Sequence, residues 1–270
     1  MIDRIFEAFT FDFFLRALFV GSVLSVLCAL LGNFVVLRRE AVVSHAISHV
    51  GLLGIALGIL LGIDVNIALF FAVIAGVFII LFFLRSQRFS QDSVLEFIAE
   101  MSLAGSIVVV SQMSGYRIDL MQFLFGDILL ISERDVWFTV VLGFFVLFGL
   151  IFFHRPLSQA LFNEELAKSA GVRVSLLHTF FLLLLAVVIA VGMKIIGALL
   201  LAAFLVIPPN TAKIFARNFR GMMIGSAVIA FIGTNIGLLG AYIFDVPSGA
   251  MVVLVLGGMF LVSAVATVRF

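Results

Sequence analysis

The chain has 270 residues, 64% of them hydrophobic and only 11% charged, with a formal net charge of +1 and a mean hydropathy of +1.34. An ordinary soluble domain is about 45–50% apolar and about 25% charged, so a soluble core cannot hide this much apolar surface and lipid has to cover it. The basic residues stand singly between apolar runs and offer no patch for nucleic acid, and the one cysteine, Cys28, excludes an internal disulfide and a Cys-x-x-Cys zinc site.

The chain opens with MIDRIFEAFTFDFF, which is mixed and acidic and lacks the basic start of a cleavable signal peptide. Runs of the roughly 20 apolar residues that cross a bilayer follow at 11–37, 41–62, 65–84, 92–113, 134–153, 174–192, 195–213, 220–243 and 248–268. They predict an all-α polytopic bundle, with residues 1–270 forming one transmembrane domain. The count is nine spans, or eight if the short seventh run, which ends in Pro208–Pro209, is broken or re-entrant. Placing the Arg38–Arg39 loop inside and alternating from there puts eleven of the sixteen Lys and Arg residues on the inner side. Four (Arg4, Arg117, Arg134 and Lys194) fall outside, and Arg16 lies within the first span. That bias predicts an outer N-terminus and an inner C-terminus.

The second run holds His45 and His49, four apart, which puts both imidazoles on one helical face. Neutral imidazole is a ligand for zinc, iron and other transition metals. The plainer alternative is that each histidine is a hydrogen-bonded interior residue. Gly51, Gly54, Gly58 and Gly62 follow, with small side chains that let helices approach closely in lipid or bend. The fourth run begins with Glu96 and Glu100, again four apart. A carboxylate inside a span costs about 2.5–3.5 kcal/mol on insertion scales unless it is paired or hydrated. The partner is a metal ion, the histidine pair, or inner water near Arg88.

The longest hydrophilic stretch, 154–175, contains SQALFNEELAKSAG. Ser158 as N-cap, Glu164 and Glu165 inside, and Gly171 as the residue past the C-terminus predict a short amphipathic helix over about 158–170, on the inner face. Pro208–Pro209 frees backbone carbonyls that need partners. Met101, Met113 and Met121 read as packing residues. The acidic residues assigned to the outer side (Asp3, Glu7, Asp12, Asp64, Asp119, Asp127, Glu133, Asp135 and Asp245) either attract cations or a basic partner, or are what remains once Lys and Arg are excluded. No G-x-x-x-x-G-K-[ST] loop is present, so the chain is read as having no ATPase site of its own.

Three stretches together resemble the integral membrane subunits of ABC importers for zinc, manganese and iron. They are NFVVLRREAVVSHAISHVGLLGIALGILLGID (33–64), LMQFLFGDILLIS (120–132), and FNEELAKSAGV (162–172) with MKIIGALLLAAFLVIPPNTAKIFARNFRGM (193–222) and DVPSGAMVVLV (245–255). The resemblance implies a divalent metal ion bound transiently, with no resident cofactor. It implies a second copy of the chain, cytoplasmic ATP-binding subunits, an extracytoplasmic metal-binding protein, and a cell-membrane location. It also makes the helix at 158–170, with Glu164, Glu165 and Gly171, the coupling helix that docks on the ATPase. The chain departs from the family pattern at His45, where relatives carry Asp; Glu96 and Glu100 are candidate replacements for that charge. The related siderophore and vitamin permeases carry a Gly-Leu-Ile-x-Pro-His signature, replaced here by the stretch Ala203 to Pro209. A secondary transporter would show paired broken helices in an internal repeat, and none is visible.

Overall fold

The computed structural model describes residues 9–85, 90–112, 126 and 131–268. Among these there are ten helices and no strand. They are α1 (Asp12–Leu37), α2 (Ala41–Leu61), α3 (Val65–Arg85), α4 (Gln91–Ser111), α5 (Glu133–Phe162), α6 (Glu164–Ser169), α7 (Val174–Ile196), α8 (Ala198–Phe215), α9 (Phe219–Phe244) and α10 (Ser248–Val268). All but α6 are long and apolar enough to cross a membrane, so the nine predicted runs are nine helices. The second stretch of the resemblance, 120–132, lies largely outside the described residues. So do Asp3, Arg4, Glu7, Arg88, Met113, Arg117, Asp119, Met121, Asp127 and Arg269.

One element differs from the sequence reading. The fifth span runs on through Pro156 to Phe162, so Ser158 lies inside α5 and caps nothing. The hydrophilic stretch breaks instead at Asn163, whose side chain accepts a hydrogen bond from the Leu166 N–H and starts the six-residue α6. The end of α6 is as expected: Gly171 has φ +82, its N–H donates to the Lys168 carbonyl, and the Val172 N–H donates to the Ala167 carbonyl. That double closure is a Schellman turn, and only glycine takes the left-handed position without a Cβ penalty. The seventh run is α8, a continuous helix with Pro208 and Pro209 inside it, so the count among the described residues is nine and the broken or re-entrant alternative is not met.

The chain divides into two compact units. The first comprises Met1–Arg38, Met121–Phe148 and Gly192–Phe270. Within it α1 packs on α8 and α9, and both of those pack on α10. Proline at 209 cannot donate to the Leu205 carbonyl. That carbonyl oxygen lies against Gly32 of α1, where any Cβ would collide with it. Gly32 thus permits α1 to lie against the part of α8 where proline has removed the normal donor. One turn on, Asn210 and Thr211 return their side-chain donors to the Val206 and Ile207 carbonyls at 2.8 Å each. Buried amides and hydroxyls fasten α1 to α9: Asn33 Nδ2 donates to Ser226 Oγ at 2.7 Å, and Asn235 Nδ2 to Ser22 Oγ at 2.9 Å.

The second unit comprises Arg39–Leu120 and Gly149–Val191. Here α2 packs along both α3 and α4. The α2–α3 seam is made by small residues, with Gly54 and Gly58 facing Ala68 and Ala72, so the predicted close approach is met at these two glycines. Gly62 has another job: at φ +67 it caps the end of α2.

Candidate functional site

His45 and His49 lie on α2 in the second unit, with ring centroids 4.1 Å apart and planes inclined by 54°. One helical turn between them produces this pairing. His49 is half-buried and His45 exposed. The His49 Nδ1 lies 3.3 Å from the backbone carbonyl oxygen of Ala99 on α4. In the tautomer with its proton on Nδ1, the ring donates to that carbonyl and keeps a lone pair on Nε2. An outer partner of this kind orients a ligating histidine.

The same α4 contact decides where the carboxylates stand. Ala99 is flanked by Glu96 and Glu100, both exposed on α4, and both act electrostatically on His49. The helices α2 and α4 run in the same direction, since His49 lies against Ala99 and Leu53, one turn further on, lies against Gly105. The structure therefore brings the two pairs into one region of one unit. They do not form a closed cage: among the described residues no group of three or more His, Cys, Asp or Glu side chains could hold a metal ion. An open pair with nearby negative charge suits an ion that must leave again, whereas structural zinc sites are closed by four ligands. Exposed carboxylates in a spanning helix also argue that this face meets water or protein rather than lipid.

Glu164, Glu165 and Gly171 fall on or just past α6. Glu164 pairs with Lys168 at 2.8 Å within the helix, glutamate preceding lysine by four residues, and Glu165 is exposed. Most of the described acidic residues assigned to the outer side have local structural tasks. Glu133 pairs with Arg16 at 2.9 Å, and Asp135 with Lys194 at 3.1 Å. Asp64 Oδ1 accepts from the Asn66 and Ile67 N–H groups at the start of α3, and Asp245 caps α9 in a left-handed conformation. These contacts favour the ordinary reading of those carboxylates over a cation-attracting field.

Two features were not read from the sequence. His178 on α7 pairs with Glu40, at the start of α2, at 2.9 Å; a lone histidine and a lone glutamate 138 residues apart carry no periodic signal. Gly126, in the Leu-Phe-Gly-Asp stretch, lies with φ +68 directly against the Ile196–Gly197 peptide, where no side chain would fit. Its motif was visible, but the backbone it meets was not.

Comparison with known proteins identifies relatives of the whole chain. The chain is 33% identical over 253 residues to the high-affinity zinc uptake system membrane protein ZnuB of Haemophilus influenzae, covering 94% of this chain and 97% of that one. It is 30% identical over 257 residues to the manganese transport system membrane protein MntC of Halalkalibacterium halodurans, covering 94% and 87%. Its fold matches PsaBC from Streptococcus pneumoniae, solved in complex with Fab, with a TM-score of 0.87 at 28% identity over 97% of this chain and 95% of that one. A metal-chelate type ABC transporter in an inward-facing conformation shares the fold alone, with a TM-score of 0.72 at 15% identity over 94% and 86%. The model of the ABC 3 transport family matches residues 10–267, from before α1 to the last turn of α10. This multi-pass membrane protein belongs to the ABC 3 transport family.

Proposed function

We propose that this protein is the permease subunit of an ATP-driven importer that moves a divalent metal ion (zinc, manganese or ferrous iron) across the cell membrane, and that His45 and His49 contact the ion in transit. The observation that carries the reading is the paired imidazoles on α2, with His49 oriented by the Ala99 carbonyl and flanked by Glu96 and Glu100. Two imidazoles supply borderline nitrogen donors, and the carboxylates offset positive charge; that donor set serves all three metals. The relatives named for zinc and manganese support this substrate class, and the stretch from Ala203 to Pro209 speaks against a siderophore or vitamin cargo.

The rest of the machine follows from what the chain lacks and exposes. Without a phosphate-binding loop, hydrolysis belongs to separate ATP-binding subunits. The α6 segment, with Glu164, Glu165 and the Gly171 turn, is the part that docks on them. A second copy completes the pathway, and an extracytoplasmic metal-binding protein delivers the ion. The positive-inside bias supports an outer N-terminus and an inner C-terminus.

The test is uptake by the assembled importer in proteoliposomes, with zinc and manganese tried separately. His49→Ala is expected to reduce uptake by roughly 100-fold or more, as loss of a ligand exceeds the 10–100-fold cost of losing a ligand's outer partner. His45→Asp, which places a carboxylate where relatives carry one, should retain transport. Normal uptake by an assembled His49→Ala importer would show that the pair is structural.

A further inference from the structure

The Glu40–His178 pair belongs neither to the ion contact nor to the ATPase-docking segment, yet it lies between them along a short physical route. Glu40 immediately precedes α2, five residues before His45. It occupies the N-cap position, where a carboxylate could accept from the first free N–H groups of the helix; its side chain makes no such cap bond. Instead its Oε1 meets His178 Nε2 on α7 at 2.9 Å, and the two side chains are only 13% and 19% exposed. Arg39, just before it, takes a left-handed φ of +59, so the chain enters α2 through a turn that a non-glycine residue adopts only when its surroundings hold it there.

The other end of the route is equally defined. His178 lies on α7 seven residues after Gly171, whose Schellman turn rigidly ends α6. The α7 helix begins at Val174 and touches the second half of α5, with Phe180 against Phe153 and near Gly149. The long seams of α2 run along α3 and α4, and the side-chain pair joins the first turns of α7 to its start. All of these residues lie in one compact unit. A displacement of α6 has a path through α7 and a 2.9 Å side-chain bond to Glu40, the residue just before the helix that carries both histidines, and a hydrogen bond of this length is directional.

We propose that Glu40 and His178 are positioning residues that couple the ATPase-docking segment to the metal-contacting helix. Neither touches the ion. The pair holds the start of α2 to α7, so that movement at α6 reaches His45 and His49. This rests on the reading of α6 as the docking segment.

The experiment uses the assembled importer in proteoliposomes and measures metal uptake and ATP hydrolysis together, with zinc and with manganese as separate probes, plus equilibrium binding of the same metals. Glu40→Gln and His178→Gln are each expected to lower the metal moved per ATP by roughly 5-fold or more, the scale of energetic coupling between sites. Hydrolysis continues and metal binding is unchanged, an outcome that general loss of structure would not give. The exchange variant, Glu40→His with His178→Glu, rebuilds the pair in reverse and should restore most of the ratio. Single variants with a normal ratio overturn the proposal, and so does an exchange variant that stays uncoupled or fails to assemble. Gly171→Val separates the two readings. If it uncouples while Glu40→Gln does not, the positioning role fails alone; if it leaves the ratio normal, the docking assignment itself fails.

Discussion

The two units of this protein use polar side chains in opposite ways. In the unit built from α1, α8, α9 and α10, neutral amides and hydroxyls bond across helices, as in Asn33 to Ser226 and Asn235 to Ser22. Two of its acidic residues, Glu133 and Asp135, are paired with Arg16 and Lys194. In the unit built around α2, α3 and α4, α2 meets α3 through glycine and alanine. The ionisable groups Glu96, Glu100 and His45 are instead left exposed on spanning helices. Neutral groups satisfied by one another can be spent on holding helices together, whereas an ionisable group in a span is costly unless it has a task. Under the proposed function, the contrast separates scaffold from site.

The strongest way to break this comparison is at Gly32. If the first unit is scaffold, Gly32→Leu, which drives a side chain into the Leu205 carbonyl, should destabilise the protein by about 3 kcal/mol or more, as overpacking at a rigid contact does. Thermal unfolding of the detergent-purified chain would show it, and an unchanged midpoint would mean that α1 and α8 are not held as described.

The second unit should respond in the opposite sense. Glu96→Gln and Glu100→Gln together are expected to lower metal uptake roughly 10-fold with no fall in thermal stability, because the carboxylates are exposed and, in the proposed function, serve the ion rather than the packing. Lost stability with intact uptake would reverse their assignment to scaffold and site. Acid sharpens the same point. Protons compete with a metal for imidazole lone pairs, so uptake should fall as the medium is acidified from about pH 7.5 to about pH 5.5. A flat profile between those limits, measured with the ATPase rate held in view, would argue against histidine ligands.

The smallest expected effect is Ser22→Ala. It removes the acceptor for Asn235, and interhelical hydrogen bonds in lipid average only about 0.6 kcal/mol. A loss of several kcal/mol would show that this seam carries more of the fold than its neutral chemistry suggests.

Much of the architecture was legible because lipid imposes a simple rule. Each span must be a helix of about 20 apolar residues, and composition alone marks such runs, which is why the ends of α1, α2 and α3 fall within a few residues of the predicted limits. Local chemistry was legible for the same reason that it is local. The four-residue spacing of His45 and His49 fixes a shared face, and Gly171 marks a left-handed turn wherever its helix begins. The start of that helix was not legible, because Ser158 and Asn163 are both competent caps. The choice fell to Asn163 because α5 continues through Pro156 to Phe162.

What only the tertiary structure decided is which distant groups meet. The placement of Glu96 and Glu100 beside His49, the seat of Gly32 over the carbonyl left without its donor by Pro209, and the bond between Glu40 and His178 all depend on how helices are set against one another. Periodicity along a sequence reports which face of a helix a residue occupies. It carries no information about the residue, tens or hundreds of positions away, that the face will meet, because that is settled by the packing of whole helices and not by spacing within one of them.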